Sequence, residues 1–202
     1  MKKSLLYFLL FTISIQMLHA QKVRIKTSEG TIIVELYAQK APITVANFMR
    51  YVDEQRYDGG KFYRVVRLDN QANNATKIEV IQGGLQTDST KMLPTIEQET
   101  TNKTGILHLD GTISMARVKP ESAASEFFIC INPQPELDFG GKRNPDWQGF
   151  AAFGRVIKGM KVVRKIQMGE TGTPAPTNAY SNPTQYLKNP IIIKTIKRIS
   201  SE

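Results

Sequence analysis

Few side chains in this sequence could do chemistry, and that scarcity narrows the choices. Apart from His19 the only histidine is His108, and the only cysteine is Cys130. A two-histidine metal site, a cysteine zinc site and a Ser-His-Asp arrangement are therefore all hard to assemble. No phosphate-binding G-x-x-x-x-G-K-S/T run occurs, and no G-x-G-x-x-G opens a helix. Glu97 and Glu99 stand close enough to suggest an acid/base pair, but their polar setting, TIEQETTNKTG, reads better as a solvated loop or a helix cap. The residue that stands out is Arg64, inside the apolar run KFYRVV at 61–66 and followed, after a polar excursion at 67–77, by EVIQGG at 79–84. A strand arginine can snorkel to water or pair with a carboxylate. Aimed at a reacting group, it is a permanent hydrogen-bond donor. What remains is chemistry that one arginine, a few amide donors and an apolar pocket can perform.

The elements that must position these residues are mostly short strands. Val23 and Ile25 alternate with Arg24 and Lys26, and TIIVELY at 31–37 follows a tight turn, the pattern of a hairpin. Further β-type runs lie at 61–66, 78–82, 112–116, 126–131, 150–155 and 190–199, eight strands in all. In APITVANFMRYVDE, Val45, Phe48, Met49 and Val52 fall at helical spacing with Pro42 near the start; KGMKVVRKIQ at 158–167 predicts a second helix. A Pro/Thr/Asn-rich stretch at 169–189 reads as a surface connector. Many strands and two helices favour a barrel or sandwich. First and last strands that both alternate Ile/Val with Lys/Arg could pair, which favours closure. Eight strands leave an interior that side chains fill, so a ligand site belongs on the outer wall.

The composition, 202 residues with 41% hydrophobic and 22% charged, suits one domain. The first twenty residues, MKKSLLYFLLFTISIQMLHA, carry Lys2 and Lys3, an apolar stretch from Leu5 to about Ile15, and Leu18-His19-Ala20 as a cleavage site. They read as a secretory signal over 1–20, too short to span a bilayer, with no cysteine after it to take a lipid. The expected destination is across the inner membrane, the periplasm by default, with no membrane attachment after cleavage. Cys130, within FFIC, is expected to be a buried, inert thiol, and a single cysteine forms no internal disulfide. The net charge of +9 falls to +7 without Lys2 and Lys3, and the basic residues are scattered among acids, so nucleic acid is not an expected partner.

Several runs now converge: APITVANF, FYRVV, EVIQGG, GTISMAR at 111–117, SEFFIC at 125–130, LDFGG at 137–141 and GFAAFGRVIKGMKVV at 149–163. In order and spacing they resemble the cyclophilin-type peptidyl-prolyl isomerases, from about Lys22 to Ile199. The resemblance implies a mostly β fold: a closed eight-stranded antiparallel barrel capped by two helices, with an active groove outside. It implies a monomer without cofactor that rotates X-Pro bonds in proline-containing polypeptide segments. By resemblance Arg64 is the donor to the prolyl nitrogen, and Gln82 binds substrate backbone and helps hold the arginine. Val80, Phe128 and Leu137 match the proline socket, with Phe150 at its rim. Ala116, Arg117, Glu126 and Phe127 fall at further groove positions, Arg117 and Glu126 selecting the residue before proline.

Three departures qualify this picture. Glu79 stands where members commonly carry a phenylalanine, and Val80 replaces the usual methionine, so a shallower socket, or one completed from the excursion, is expected. The excursion itself is longer than in compact members. Glu136 occupies the position of the tryptophan that supports tight cyclosporin binding, which predicts weak affinity for that ligand; Trp147 lies in the loop NPDWQG and has no groove assignment. Glu79 and the excursion leave open a second reading, a non-catalytic chaperone module that binds proline peptides in the same groove; the basic charge leaves a third, a barrel that binds a surface polyanion.

Overall fold

The computed structural model describes residues 21–199 apart from 73, 87 and 173–182. The signal assignment and the middle of the expected 169–189 connector lie outside the described residues. The strands are β1 (Gln21–Thr27), β2 (Gly30–Leu36), β3 (Lys61–Val66), β4 (Val80–Gly84), β5 (Thr112–Met115), β6 (Phe127–Cys130), β7 (Ala151–Lys158) and β8 (Tyr186–Ile199). They close in the order β1-β2-β7-β5-β6-β4-β3-β8, with every pairing antiparallel. The first and last strands pair as their composition suggested, with Ile25 opposite Ile196. Several strand ends differ from expectation; β7, for example, runs on to Lys158 rather than 155. β8 starts at Tyr186 rather than 190, and β4 starts at Val80 because Ile78 leaves the ladder to pack in an outer apolar cluster.

Period-2 alternation sends Val23, Ile25, Ile32, Val34, Ile81, Ile113, Phe127 and Ile129 into the lumen, all essentially without solvent exposure. Helix α1 (Pro42–Asp53) closes the lumen with Phe48, whose ring meets Phe127 edge-on at 5.6 Å and lies 5.2 Å from Phe153. Its first turn has no capping side chain of its own, since Ala41 precedes Pro42. Glu99 supplies one from across the fold, accepting from the Ile43 and Thr44 N–H groups at 3.2 and 2.8 Å and from Thr44 Oγ1 at 2.7 Å. Of the two glutamates noted in the sequence, Glu99 is thus a cap and Glu97 a surface partner of Lys103. Among the described residues the expected pair of helices becomes three: α2 (Thr101–Thr104) is a single turn, too short for a periodic signal, and α3 (Met160–Gln167) packs Val163 and Ile166 into the core.

One irregularity decides what the outer wall presents. In β3 and β4, Phe62 pairs with Gly83 and Arg64 with Gln82, leaving Tyr63 as an extra residue. Phe62 and Val65 both face the lumen although they are three apart, which only a bulge allows. The bulge turns Arg64 outward; in an unbroken strand it would share the face of Phe62. Gly83 makes room for this close approach, since a Cβ there would stand 2.7 Å from the Lys61 carbonyl and from the Phe62 ring.

Candidate active site

Outward-facing residues line up across neighbouring strands: Ser114 beside Phe128, Phe128 beside Gln82, Gln82 beside Arg64, Arg64 beside Tyr186. Arg64 lies at the polar end of this row. Its Nη1 donates to Gln82 Oε1 at 2.6 Å, while Nη2 and Nε donate to Gln185 Oε1 at 2.6 and 3.1 Å. Both partners are neutral amides, so the guanidinium is fixed without being neutralised. Burial holds its pKa below the usual arginine range. Gln82 in turn donates from Nε2 to the Tyr63 hydroxyl at 2.9 Å, and Tyr63 donates to Glu126 Oε2 at 2.5 Å.

Glu126 lies on this face, but it turns inward under the following loop. Its Oε1 accepts from the Leu85 and Gln86 N–H groups at 2.8 and 2.9 Å and from Ser125 Oγ at 3.1 Å. Burial raises its carboxyl pKa, opposed by these hydrogen bonds. A Cβ at Gly84 would fall 2.6 Å from Oε1 on a backbone at φ +147°, so the glycines after Gln82 leave room for both the bulge and this carboxylate.

At the apolar end, Val66, Ile78, Val80, Phe128, Cys130 and Leu137 form a cluster separate from the lumen, with Ala116 and Phe150 packed against it. Phe150 stands edge-on to Phe128 at 5.3 Å. Val80, Phe128 and Leu137 are only 2, 4 and 1% exposed, so the surface offered to a ligand comes chiefly from Ala116 and Phe150 and is shallow. Ile78, just past the excursion, helps to fill it. Glu79 faces away, within reach of Asn132 Nδ2 at 3.0 Å. Burial pushes the Cys130 thiol up, which leaves it protonated and inert as expected. Trp147 is exposed on its loop, outside the groove row.

Several expectations need correction. Phe127 is not a groove residue: it alternates with Phe128 and is packed among Phe48, Tyr57 and Phe62 in the lumen. Arg117 is spoken for, with Nη1 and Nη2 bound to the Asp146 carboxylate at 2.7 and 2.8 Å, further bonds to the Gly149 carbonyl, and its guanidinium 5.1 Å from the Phe150 ring. It braces the rim and is not free to select a substrate side chain, and the same holds for Glu126. A Ser-His-Asp arrangement, discounted for want of material, does assemble. His108 Nδ1 lies 2.7 Å from Asp138 Oδ1 and Nε2 lies 3.0 Å from Ser114 Oγ. Asp138 Oδ1 also accepts from the His108 backbone N–H at 3.0 Å, so the carboxylate holds both the ring at Nδ1 and the backbone of His108. Ser114 is fully buried and Phe128 stacks on the imidazole at 5.8 Å, so no substrate reaches the hydroxyl. The three side chains support the socket from below.

Two residues were missed. Gln185 fell within the expected connector, and only the register of β8 against β3 reveals that it faces Arg64. Arg143 sits in the loop after Leu137 and donates from Nη1 to Gln71 Oε1 at 2.9 Å and to the Thr76 carbonyl at 2.6 Å, tying that loop to the excursion.

Residues 22–197 match the model of the cyclophilin type peptidyl-prolyl cis-trans isomerases. Similar proteins include peptidyl-prolyl cis-trans isomerase A of Dickeya dadantii, 37% identical over 88% of this chain and 84% of the relative, and peptidyl-prolyl cis-trans isomerase B of Escherichia coli, 35% identical over 72% and 84%. Among solved structures, a Cryptosporidium parvum cyclophilin type isomerase shares the fold with a TM-score of 0.66 at 23% identity, covering 91% of this chain and all of its own. The same protein has also been solved in the presence of the dipeptide Ala-Pro, with a TM-score of 0.64.

Proposed function

The chain belongs to the cyclophilin-type peptidyl-prolyl cis-trans isomerase family, and from that premise we propose that it turns X-Pro bonds in exported polypeptides with Arg64 as the working donor. The X-Pro bond is planar by resonance, with a barrier of about 18–20 kcal/mol, and isomerises unaided in tens to hundreds of seconds. Reaching milliseconds takes roughly 5–6 kcal/mol of transition-state stabilisation. No bond breaks, so neither nucleophile nor cofactor is required.

At the twisted transition state the prolyl nitrogen loses conjugation and becomes a better acceptor, so a fixed donor aimed at it binds that state preferentially. The observation that carries this reading is the setting of Arg64. Three of its N–H groups are engaged by glutamine oxygens, leaving further N–H groups on Nη1 and Nη2 and a full positive charge beside an apolar surface. The amide partners cost the arginine little of its donor strength, whereas a carboxylate would compete with the substrate. In this reading the proline ring rests against Ala116 and Phe150, with Phe128, Val80 and Leu137 as the floor.

The first twenty residues, with Lys2 and Lys3, an apolar stretch and Leu18-His19-Ala20, support export with cleavage after Ala20. The deciding experiment is a proline-tetrapeptide isomerisation assay. Arg64→Ala should lower kcat/KM at least tenfold while the circular dichroism spectrum is retained; undiminished activity in a folded variant refutes the assignment.

A further inference from the structure

Positive charge around the groove is not balanced. Most arginines here meet a carboxylate: Arg67 meets Asp69, Arg117 meets Asp146, Arg164 meets Asp110, Arg198 meets Asp53. Arg64 and Arg143 do not. Each is held only by amide and carbonyl oxygens, and neither forms an ion pair among the described residues. The internal residues outside that description, 73, 87 and 173–182, include no Asp or Glu that could supply one.

An unpaired arginine in water needs no explanation, since solvent balances it. These two are instead partly buried. Burial lowers the pKa of both, and Arg143 is brought down to about 10, first by burial and then by repulsion from Arg64. Both guanidiniums are also tied to the same excursion, Arg143 through Gln71 and Thr76, and Arg64 through Gln185, which donates to the Asn70 carbonyl. A desolvated charge without a counter-charge is costly, and it persists where a ligand supplies the missing sign.

The position of Arg143 says which ligand. Its N–H donates to the Glu136 carbonyl at 3.1 Å, one residue before Leu137 of the socket. Gln71, which it grips, donates to the carbonyl of Ile78, a socket residue on the other flank, at 2.7 Å. Arg143 therefore bridges the two segments that border the proline site, and its Nε and Nη2 make no hydrogen bond to a described residue. We propose that Arg143, reinforced by Arg64, makes this groove prefer peptides with an acidic side chain close to the proline. A carboxylate can take the Nε–Nη2 edge of the guanidinium as a fork, and a basic side chain in the same place is repelled. Because that carboxylate engages Arg143, the donors of Arg64 stay available to the prolyl nitrogen. The inference rests on the isomerase reading above.

Its test uses pairs of proline peptides that differ only by Glu or Gln, with the substitution placed in turn at each position from two before to two after the proline. Exchange NMR reads the cis/trans rate, and chemical-shift titration reads binding. The full mature chain should favour Glu over Gln by about tenfold at one position, the size of one partly buried charge pair, and ~1 M salt should shrink the ratio. Arg143→Gln should bring the ratio close to one, and Arg143→Lys should restore part of it, which a loss of loop packing alone would not do. Equal handling of Glu and Gln at every position, or a preference that survives Arg143→Gln, overturns the proposal. Glu-selective binding without turnover on any peptide would count against the isomerase reading and in favour of this one.

Discussion

Gln185 Oε1 accepts hydrogen bonds from both Nη2 and Nε of Arg64, at 2.6 and 3.1 Å. The same side chain donates from Nε2 to the Asn70 carbonyl at 3.2 Å, so it couples the excursion to the guanidinium. One oxygen bound to two N–H groups fixes the plane of the arginine as well as its position.

Gln185→Met keeps the length of the side chain and removes the acceptor. The guanidinium then hangs from Gln82 alone and samples orientations that miss the prolyl nitrogen. A fall in kcat of about tenfold with KM little changed is expected, because the lost interaction matters in the transition state. A stability cost of about 1 kcal/mol should accompany it. If kcat in the tetrapeptide assay is unaltered, Gln185 is only structural filling.

Arg117 and Asp146 give a pH-dependent rim. The Arg117 hydrogen bonds hold the Asp146 carboxyl below its usual range. A lowered acid pKa contributes stability that is present above the unfolded value and lost as the pH falls through the folded one. Asp146→Asn should therefore be less stable than the parent by about 0.5–1 kcal/mol near neutral pH, the scale of a surface pair. The two proteins should converge in denaturant titrations once the pH falls through the lowered folded pKa of Asp146, below the ordinary carboxylate range. A deficit that persisted unchanged into acid would show that the ion pair is not its source.

How far the sequence reached depends on which rule each residue obeys. Strand existence followed from alternation, because a lumen and a wet wall impose period 2, and the closing β1–β8 pair followed from matched patterns at the two ends. Arg64 and Gln82 were legible because their motifs are local. Phe127 was misassigned by carrying over a neighbour of Phe128, although alternation alone forbids both from facing one side. The partners of Arg117 and Glu126, Asp146 at 29 residues and Tyr63 at 63, are set by tertiary contacts that no local pattern records. Gln185 and Arg143 lie in stretches that read as loop, where function depends on what the barrel brings near. The bulge at Tyr63, which gives Arg64 its direction, is a register feature visible only once β4 is paired.

Glu126→Gln probes the chain of bonds behind Gln82. The amide oxygen can still accept from Leu85 and Gln86, but an NH2 group facing Tyr63 leaves the phenol proton without its acceptor. A loss of about 1–3 kcal/mol is expected from one frustrated buried bond. Its pH dependence should run opposite to that of Asp146→Asn. Burial raises the Glu126 pKa, so the parent's contribution is present below the ordinary carboxylate range and declines as the pH rises through the folded value. The deficit of Glu126→Gln, measured by denaturant titration, should accordingly narrow from acid toward neutral pH; a deficit that widens would contradict the raised pKa.

Glu136 is expected to weaken the response to cyclosporin. It lies in the single turn Pro135–Leu137, and its carboxylate accepts the Lys142 N–H at 2.8 Å, so the border of the socket next to Leu137 carries a polar side chain where an aromatic ring would extend the apolar surface. A large apolar ligand gains roughly 25 cal/mol for each Å² it removes from water, and without an indole at this border there is less surface to bury. Calorimetry should give a dissociation constant weaker than micromolar for the parent chain. Glu136→Trp should tighten it about tenfold or more, at the cost of the bond to Lys142, while turnover of a short proline peptide that does not reach this border changes much less. Tight binding by the parent, or no gain from the tryptophan, would mean that the shallow surface around Phe128 and Phe150 governs the ligand instead.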